Sequence, residues 1–248
     1  MDFNFGKPSH VLALLLLIGG FFLIFVLPII TFILMINYPN LFETIEISES
    51  IAIQSQLILI AIFIVVPFIW YFLVNKFSFK DISSHIKLVG ENIDIAFLWG
   101  ILAAIAIFVI IFVMEFLLIS LGYKSEDLSN IPDIQKLFSP AAMFFLVGIQ
   151  PIGEEIFFRG FLLEKIDSFA GDKVAIFSTS VLFGIAHMSY GKIFPVVMPI
   201  LMGVILGFIV VKTKNLFSSI IAHVVFNLTS LTLAYLGSEL LKQSSLIL

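Results

Sequence analysis

Long apolar runs separated by short polar stretches organise this chain. The runs cover 11–37, 57–74, 95–121, 141–163, 174–188, 194–211 and 216–236. A bilayer's hydrocarbon core takes about 20 apolar residues of helix to cross. Six of the runs approach or exceed that length, and 174–188 is the shortest. Transmembrane strands would be about 10 residues long and would alternate apolar with polar positions. These runs are longer and uniformly apolar, so the pattern predicts helices. The run 11–37 is too long for a signal-peptide core and has no small-residue cleavage pattern, so it is expected as a retained span. The tail 238–248 is amphipathic and able to extend an eighth segment. The expectation is an all-α, polytopic transmembrane helical bundle with seven clear spans, eight if the tail adds one, forming a single domain over 1–248.

Composition agrees with that reading and removes several functions. Hydrophobic residues make up 60% of the chain and charged ones 12%. A soluble domain is roughly 45–50% apolar and 25% charged, and cannot cover so much apolar surface. Cysteine is absent, which excludes disulfides, thiolate metal sites and a cysteine nucleophile. The net charge of −4 and thinly spread lysines give no basic patch, so nucleic acid is not an expected partner. The lysines instead set topology. An N-terminus in the cytoplasm puts Lys7, Lys76, Lys80, Lys87, Lys165, Lys173, Lys212 and Lys214 inside. It leaves Lys124, Lys136, Lys192 and Lys242 outside. The positive-inside rule favours that arrangement, in a multi-pass protein of the cell membrane. The loop 38–56 has no lysine and holds Glu43, Glu46 and Glu49, which suits the outside. The segment 76–89 mixes apolar and basic residues and reads equally as an amphipathic interfacial stretch or a solvated loop. Gly203 and Gly207 form a GxxxG pair that permits a close helix crossing, within the fold or between subunits.

An ionisable group at membrane depth costs roughly 2.5–3.5 kcal/mol to insert, so each one needs a partner or a task. Glu115 falls near the outer end of its run and reads as interfacial. The others form three clusters. The first is Gly153-Glu154-Glu155-Ile156-Phe157-Phe158-Arg159. Glu155 and Arg159, four apart, share a helix face and can pair. Arg159 is the only arginine in the chain, and its planar fork suits a carboxylate held away from water. Glu154 is rotated about 100° from Glu155 and has no local partner, which makes it the candidate for chemistry. The second cluster pairs Phe183 with His187, and the third pairs His223 with Asn227, each four apart on one face. Taken singly, these read as helix-bridging contacts about as well as they read as chemistry. Helix arithmetic puts Glu154, His187 and His223 at overlapping depths near mid-membrane, leaning to the cytoplasmic half. Such convergence favours one shared site.

Glu-Glu-x-x-x-Arg, Phe-x-x-x-His and His-x-x-x-Asn, in this order on successive helices, resemble the motifs of the CAAX-protease and bacteriocin-processing (CPBP) family of intramembrane endopeptidases. Type II CAAX prenyl endopeptidases belong to it. The resemblance spans roughly residues 140–230, which would be the catalytic core, and all three motifs are intact. It implies a glutamate-dependent peptide hydrolase with an active site enclosed by the bundle. Glu154 and His187 would hold and activate water. His223 and Asn227 would stabilise the oxyanion, while Glu155, Arg159 and Phe183 would support the site. The family usually has eight helices, one more than the seven clear runs here. A carboxylate held away from water suits a general base, and donors aimed at developing charge supply a large catalytic term. No cofactor is expected. Zinc held by Glu154, His187 and His223 is the alternative, since two histidines and a glutamate form a hydrolytic zinc set. Asn227 beside His223 reads better as an oxyanion donor. No His-Glu-x-x-His motif, serine elbow or intramembrane aspartate pair is present. The expected partners are a prenylated or otherwise membrane-bound peptide and the lipid bilayer. Two rivals remain: a non-proteolytic immunity or partner-binding protein on the same fold, and a proton-coupled transporter. The second lacks repeat symmetry.

Overall fold

A computed structural model describes residues 3–38, 40, 47–188 and 192–245. No strand occurs among them. The helices are α1 (Pro8–Asn37), α2 (Glu49–Asn75), α3 (Phe79–His85), α4 (Ile93–Ser120), α5 (Ser125–Leu128), α6 (Ile131–Leu137), α7 (Pro140–Ala170), α8 (Asp172–Ile185), α9 (Phe194–Thr213) and α10 (Phe217–Ser245). Glu43, Glu46 and the last three residues of the tail lie outside the described residues.

Among the described residues, six helices, rather than seven or eight, are long and apolar enough to cross a membrane: α1, α2, α4, α7, α9 and α10. The fifth apolar run becomes α8, which has 14 residues and is about 21 Å long against a core of about 30 Å. It begins at Asp172, directly after Gly171 at φ +83°, and it is short because the chain turns after Ile185. The tail forms no separate segment, since α10 runs on unbroken to Ser245. The segment 76–89 folds as α3, capped by Ser78 and Asp81. It buries Ile82 and leaves Phe79 exposed, the amphipathic outcome of the two.

Close crossings fix the rest. Gly184 faces Ile200 and the Val196 carbonyl, Gly203 faces Ser180, and Gly207 faces Ile176. The descending order shows that α8 and α9 run antiparallel, and it places the GxxxG contact inside the fold. Gly100 meets Ile221 and the Ser218 carbonyl, while Phe108 meets Phe226, so α4 and α10 run parallel. The other side of α4 presents Phe97 and Phe116 outward, as lipid contact requires.

The bundle has two distinct ends. At one, Leu216 N–H donates to the Lys87 carbonyl, Asn215 Nδ2 donates to the carbonyls of Val89 and Glu91, and His85 meets Glu164 at 2.9 Å. At the other, Ser139 N–H donates to Glu49, and Lys192 Nζ donates to the Ser129 carbonyl and to Asp133. Between them, toward the first end, an aromatic core of Tyr71, Phe157, Phe158 and Phe161 packs with Ile86 and Leu216.

Candidate active site

The three sequence clusters meet at mid-depth. Glu154 lies about 21 Å along α7 from Pro140. Pro151 sits three residues before it, inside the helix. A proline there removes one backbone donor and loosens the turn. The next stretch, Ile156–Leu162, is wound as a π-helix, a departure common at functional sites. The sequence thus seats its most polar segment on the most irregular turn of its helix, between buried phenylalanines.

Glu155 and Arg159 pair as their spacing predicts, at 2.9 Å, with both side chains wholly buried. The structure adds a partner. His223 Nδ1 lies 2.9 Å from the same Glu155 Oε1. A carboxylate accepts, so Nδ1–H donates and Nε2 is turned toward Glu154. The supporting pair is therefore joined to the chemical group and holds the His223 ring in orientation. Arg159 also lies over the Phe183 ring, 4.4 Å from its centroid, a cation–π contact that suits a desolvated guanidinium. The Phe183 ring meets those of Phe158, His187 and His223 edge to face. Phe183 is the apolar hub of the site.

Glu154 is nearly buried, and its surroundings correct the expectation of no local partner. Gln150, one turn earlier, donates Nε2–H to Glu154 Oε1 at 2.7 Å. Four-residue spacing made this pair visible in the sequence, but attention to charge passed over a neutral amide. His223 Nε2 stands 3.7 Å from Glu154 Oε2, too long for a direct bond and close enough for both atoms to reach one oxygen. His187 Nδ1 lies 2.8 Å from the Phe183 carbonyl. A carbonyl only accepts, so Nδ1 carries the proton and Nε2 is the acceptor nitrogen.

Glu154, His187, His223 and Asn227 all line one cavity of about 550 Å³. Gln150, Phe183 and Ser230 share its wall. So does Glu115, which the sequence placed at the interface. Its side chain faces the cavity near the end of α4 at Ser120. Glu155 and Arg159 lie behind the wall. The cavity extends from Glu154 past Val147, Met143 and Phe112 to Ser125, Ser129 and Ile134. No group of three His, Asp or Glu side chains forms a metal-ligand set among the described residues. As placed, Glu154, His187 and His223 do not converge on one ion, and Glu154 Oε1 is engaged by Gln150.

The fold and site define a polytopic helical membrane protein with a buried carboxylate–imidazole site inside the bundle. Residues 136–229 match the family model described as Type II CAAX prenyl endopeptidase Rce1-like. The matched segment runs from α6 to the middle of α10 and carries all three motifs, so over this part the chain is similar to that family. No curated protein and no solved structure matches the chain.

Proposed function

We propose that this protein is an intramembrane endopeptidase that hydrolyses a peptide bond in a lipidated or membrane-associated substrate, with a prenylated CAAX-type peptide as the first substrate to try. The observation that carries this reading is the position of His223, with Nδ1 on Glu155 and Nε2 3.7 Å from Glu154. It puts a base and a ring nitrogen within reach of one oxygen.

In the proposed mechanism, a water is held by Glu154 and His187 Nε2. Glu154 takes its proton as the oxygen attacks the scissile carbonyl. The carbonyl oxygen becomes an oxyanion and accepts hydrogen bonds from Asn227 Nδ2–H and from protonated His223 Nε2. Positive charge on that ring is balanced by Glu155, whose carboxylate is shared with Arg159. Collapse of the intermediate expels the amine, which takes the proton held by Glu154. Gln150 keeps the carboxylate turned toward the water. The proposed steps are written without a metal, and the chelator comparison below tests zinc held by Glu154, His187 and His223 as the alternative.

Purified protein incubated with a farnesylated CAAX peptide, with and without a chelator, tests the reading. Cleavage that survives the chelator and disappears in Glu154→Gln, with the variant still folded, is expected. Undiminished cleavage by Glu154→Gln would overturn the proposal. Loss of cleavage in chelator, restored by zinc, would replace direct water activation with a metal mechanism.

A further inference from the structure

Two glutamates line the catalytic cavity, and the mechanism uses only one of them. Phe108, Ile111, Phe112, Glu115 and Ile119 recur at helical spacing along α4 and all line the cavity, so they share the face turned to it. Glu115 belongs to the wall by its register. It is half-buried, and no hydrogen bond or ion pair engages it among the described residues. Glu155 has Arg159, and Glu154 has Gln150. Neither lysine nor arginine lines the cavity among the described residues. Lys192, beside Ser129 at the rim, is bonded to Asp133 and to the Ser129 carbonyl. A carboxylate drawn out of bulk water without a partner is costly, and a cation brought by a ligand would relieve that cost.

Helix α10 fixes the place of Glu115 along the cavity. It runs parallel to α4, with the Phe226 ring 4.8 Å from that of Phe108, and Asn227 follows Phe226. Glu115 lies two turns beyond Phe108, about 10 Å along the helix axis, in the direction of Ser125, Ser129 and Asn130. An extended peptide covers that distance in about three residues. The opposite limit of the cavity is Phe183, packed against Phe158, and both rings are buried. A bound chain that continues beyond the site therefore leaves along the wall that carries Glu115.

We propose that Glu115 is a specificity-determining residue that binds a lysine or arginine of the substrate, about three residues to the N-terminal side of the scissile bond. This role rests on the proteolytic reading above and deepens it. The direction follows from charge. A bond cut near a substrate's C-terminus has a short segment ending in a carboxylate on one side and the rest of the protein on the other. The carboxylate would find no cation at Glu115 and would be repelled by it. The N-terminal side continues out along this wall and is free to carry a basic residue. A neutral residue at that position leaves Glu115 unpaired, and an acidic one adds repulsion, so peptides that share a scissile bond are told apart by one charge. A prenylated CAAX-type peptide with lysine or arginine at that position is the substrate this arrangement favours.

The test gives the purified protein two farnesylated CAAX peptides that differ only at the third residue N-terminal to the scissile bond, lysine in one and norleucine in the other. The parent's kcat/KM should favour lysine about tenfold, between what exposed and buried charge pairs contribute. In Glu115→Gln the ratio should fall to about one, since the amide carries no charge. Moving the lysine one residue at a time along the peptide should give a maximum near the third position in the parent, a measurement that needs no variant. Equal ratios in parent and Glu115→Gln, or a flat positional series, would overturn the proposal. Equilibrium binding of the same two peptides to Glu154→Gln keeps the two readings apart. If the parent cleaves neither peptide, the proteolytic reading fails and binding alone decides the role of Glu115. A lysine preference that is lost on adding Glu115→Gln then upholds it, and equal binding of the two peptides overturns it.

Discussion

His223 Nδ1 and an Arg159 guanidinium nitrogen each lie 2.9 Å from one and the same oxygen, Glu155 Oε1. One carboxylate therefore neutralises the buried arginine and orients the ring beside Glu154. Removing one partner of a buried ion pair strands the other charge, at a cost of about 3–5 kcal/mol. Glu155→Ala should lower both the thermal unfolding midpoint in detergent and the activity. Glu154→Gln should remove activity with little change in the midpoint. Equal thermal stability of Glu155→Ala and the parent would show that the pair does not hold the fold.

Gln150 acts on Glu154 through a hydrogen bond to a charged acceptor. Such bonds contribute about 1.5–3 kcal/mol. If that stabilisation is spent on positioning the base, Gln150→Leu should lower kcat about 10- to 100-fold with little change in KM. Steady-state kinetics with the parent's substrate would show it. A change confined to KM would assign Gln150 to substrate binding instead.

Gly184 sits between Phe183 and the turn that carries His187. A Cβ there would lie 2.8 Å from the Val196 carbonyl and closer still to Ile200. Backbone cannot yield as a side chain can, so Gly184→Ala should push α8 from α9. Overpacking of this kind costs about 1–3 kcal/mol and would displace His187. Gly148, where an added Cβ would meet nothing within 4 Å, serves as the control. Gly148→Ala should keep activity and stability, and Gly184→Ala should lose both.

The contact between Lys192 and Asp133 of α6 has a defined pH dependence. The Lys192 ammonium bonded to Asp133 at 2.6 Å holds that carboxyl below its usual 3.8, against the opposing effect of burial. A depressed folded value means the bond adds stability above about pH 3.8 and loses it as pH falls through the folded pKa. Hydrogen exchange of residues 125–138 should therefore rise below pH 3.8 relative to the transmembrane core. Asp133→Asn should show the raised exchange already at neutral pH. Identical exchange in parent and variant at neutral pH would mean the bond does not secure this segment.

Much of the molecule was legible in the sequence because a bilayer leaves few choices. Backbone groups in hydrocarbon must bond within their own helix, so length and hydropathy identified most spans. The cost of intramembrane charge singled out Glu154, Glu155, Arg159, His187 and His223 before any contact was known. Spacing of four paired Glu155 with Arg159 and, had neutral amides been weighed, would have paired Gln150 with Glu154. The fifth run formed α8, shorter than a full span, because hydropathy does not show where a helix ends and the chain turns.

Contacts between helices were beyond that reach. His223 lies 68 positions from Glu155, and no periodicity relates them. Their hydrogen bond arises from the crossing of α7 and α10. The sequence determined which side chains were too costly to be idle and which loops carry the lysines. The tertiary structure decided that Glu155 serves both Arg159 and His223, and that Glu115 faces the cavity. It also decided which helix faces wall the cavity, since a wall depends on packing on both sides of a residue and depth along one helix does not supply that.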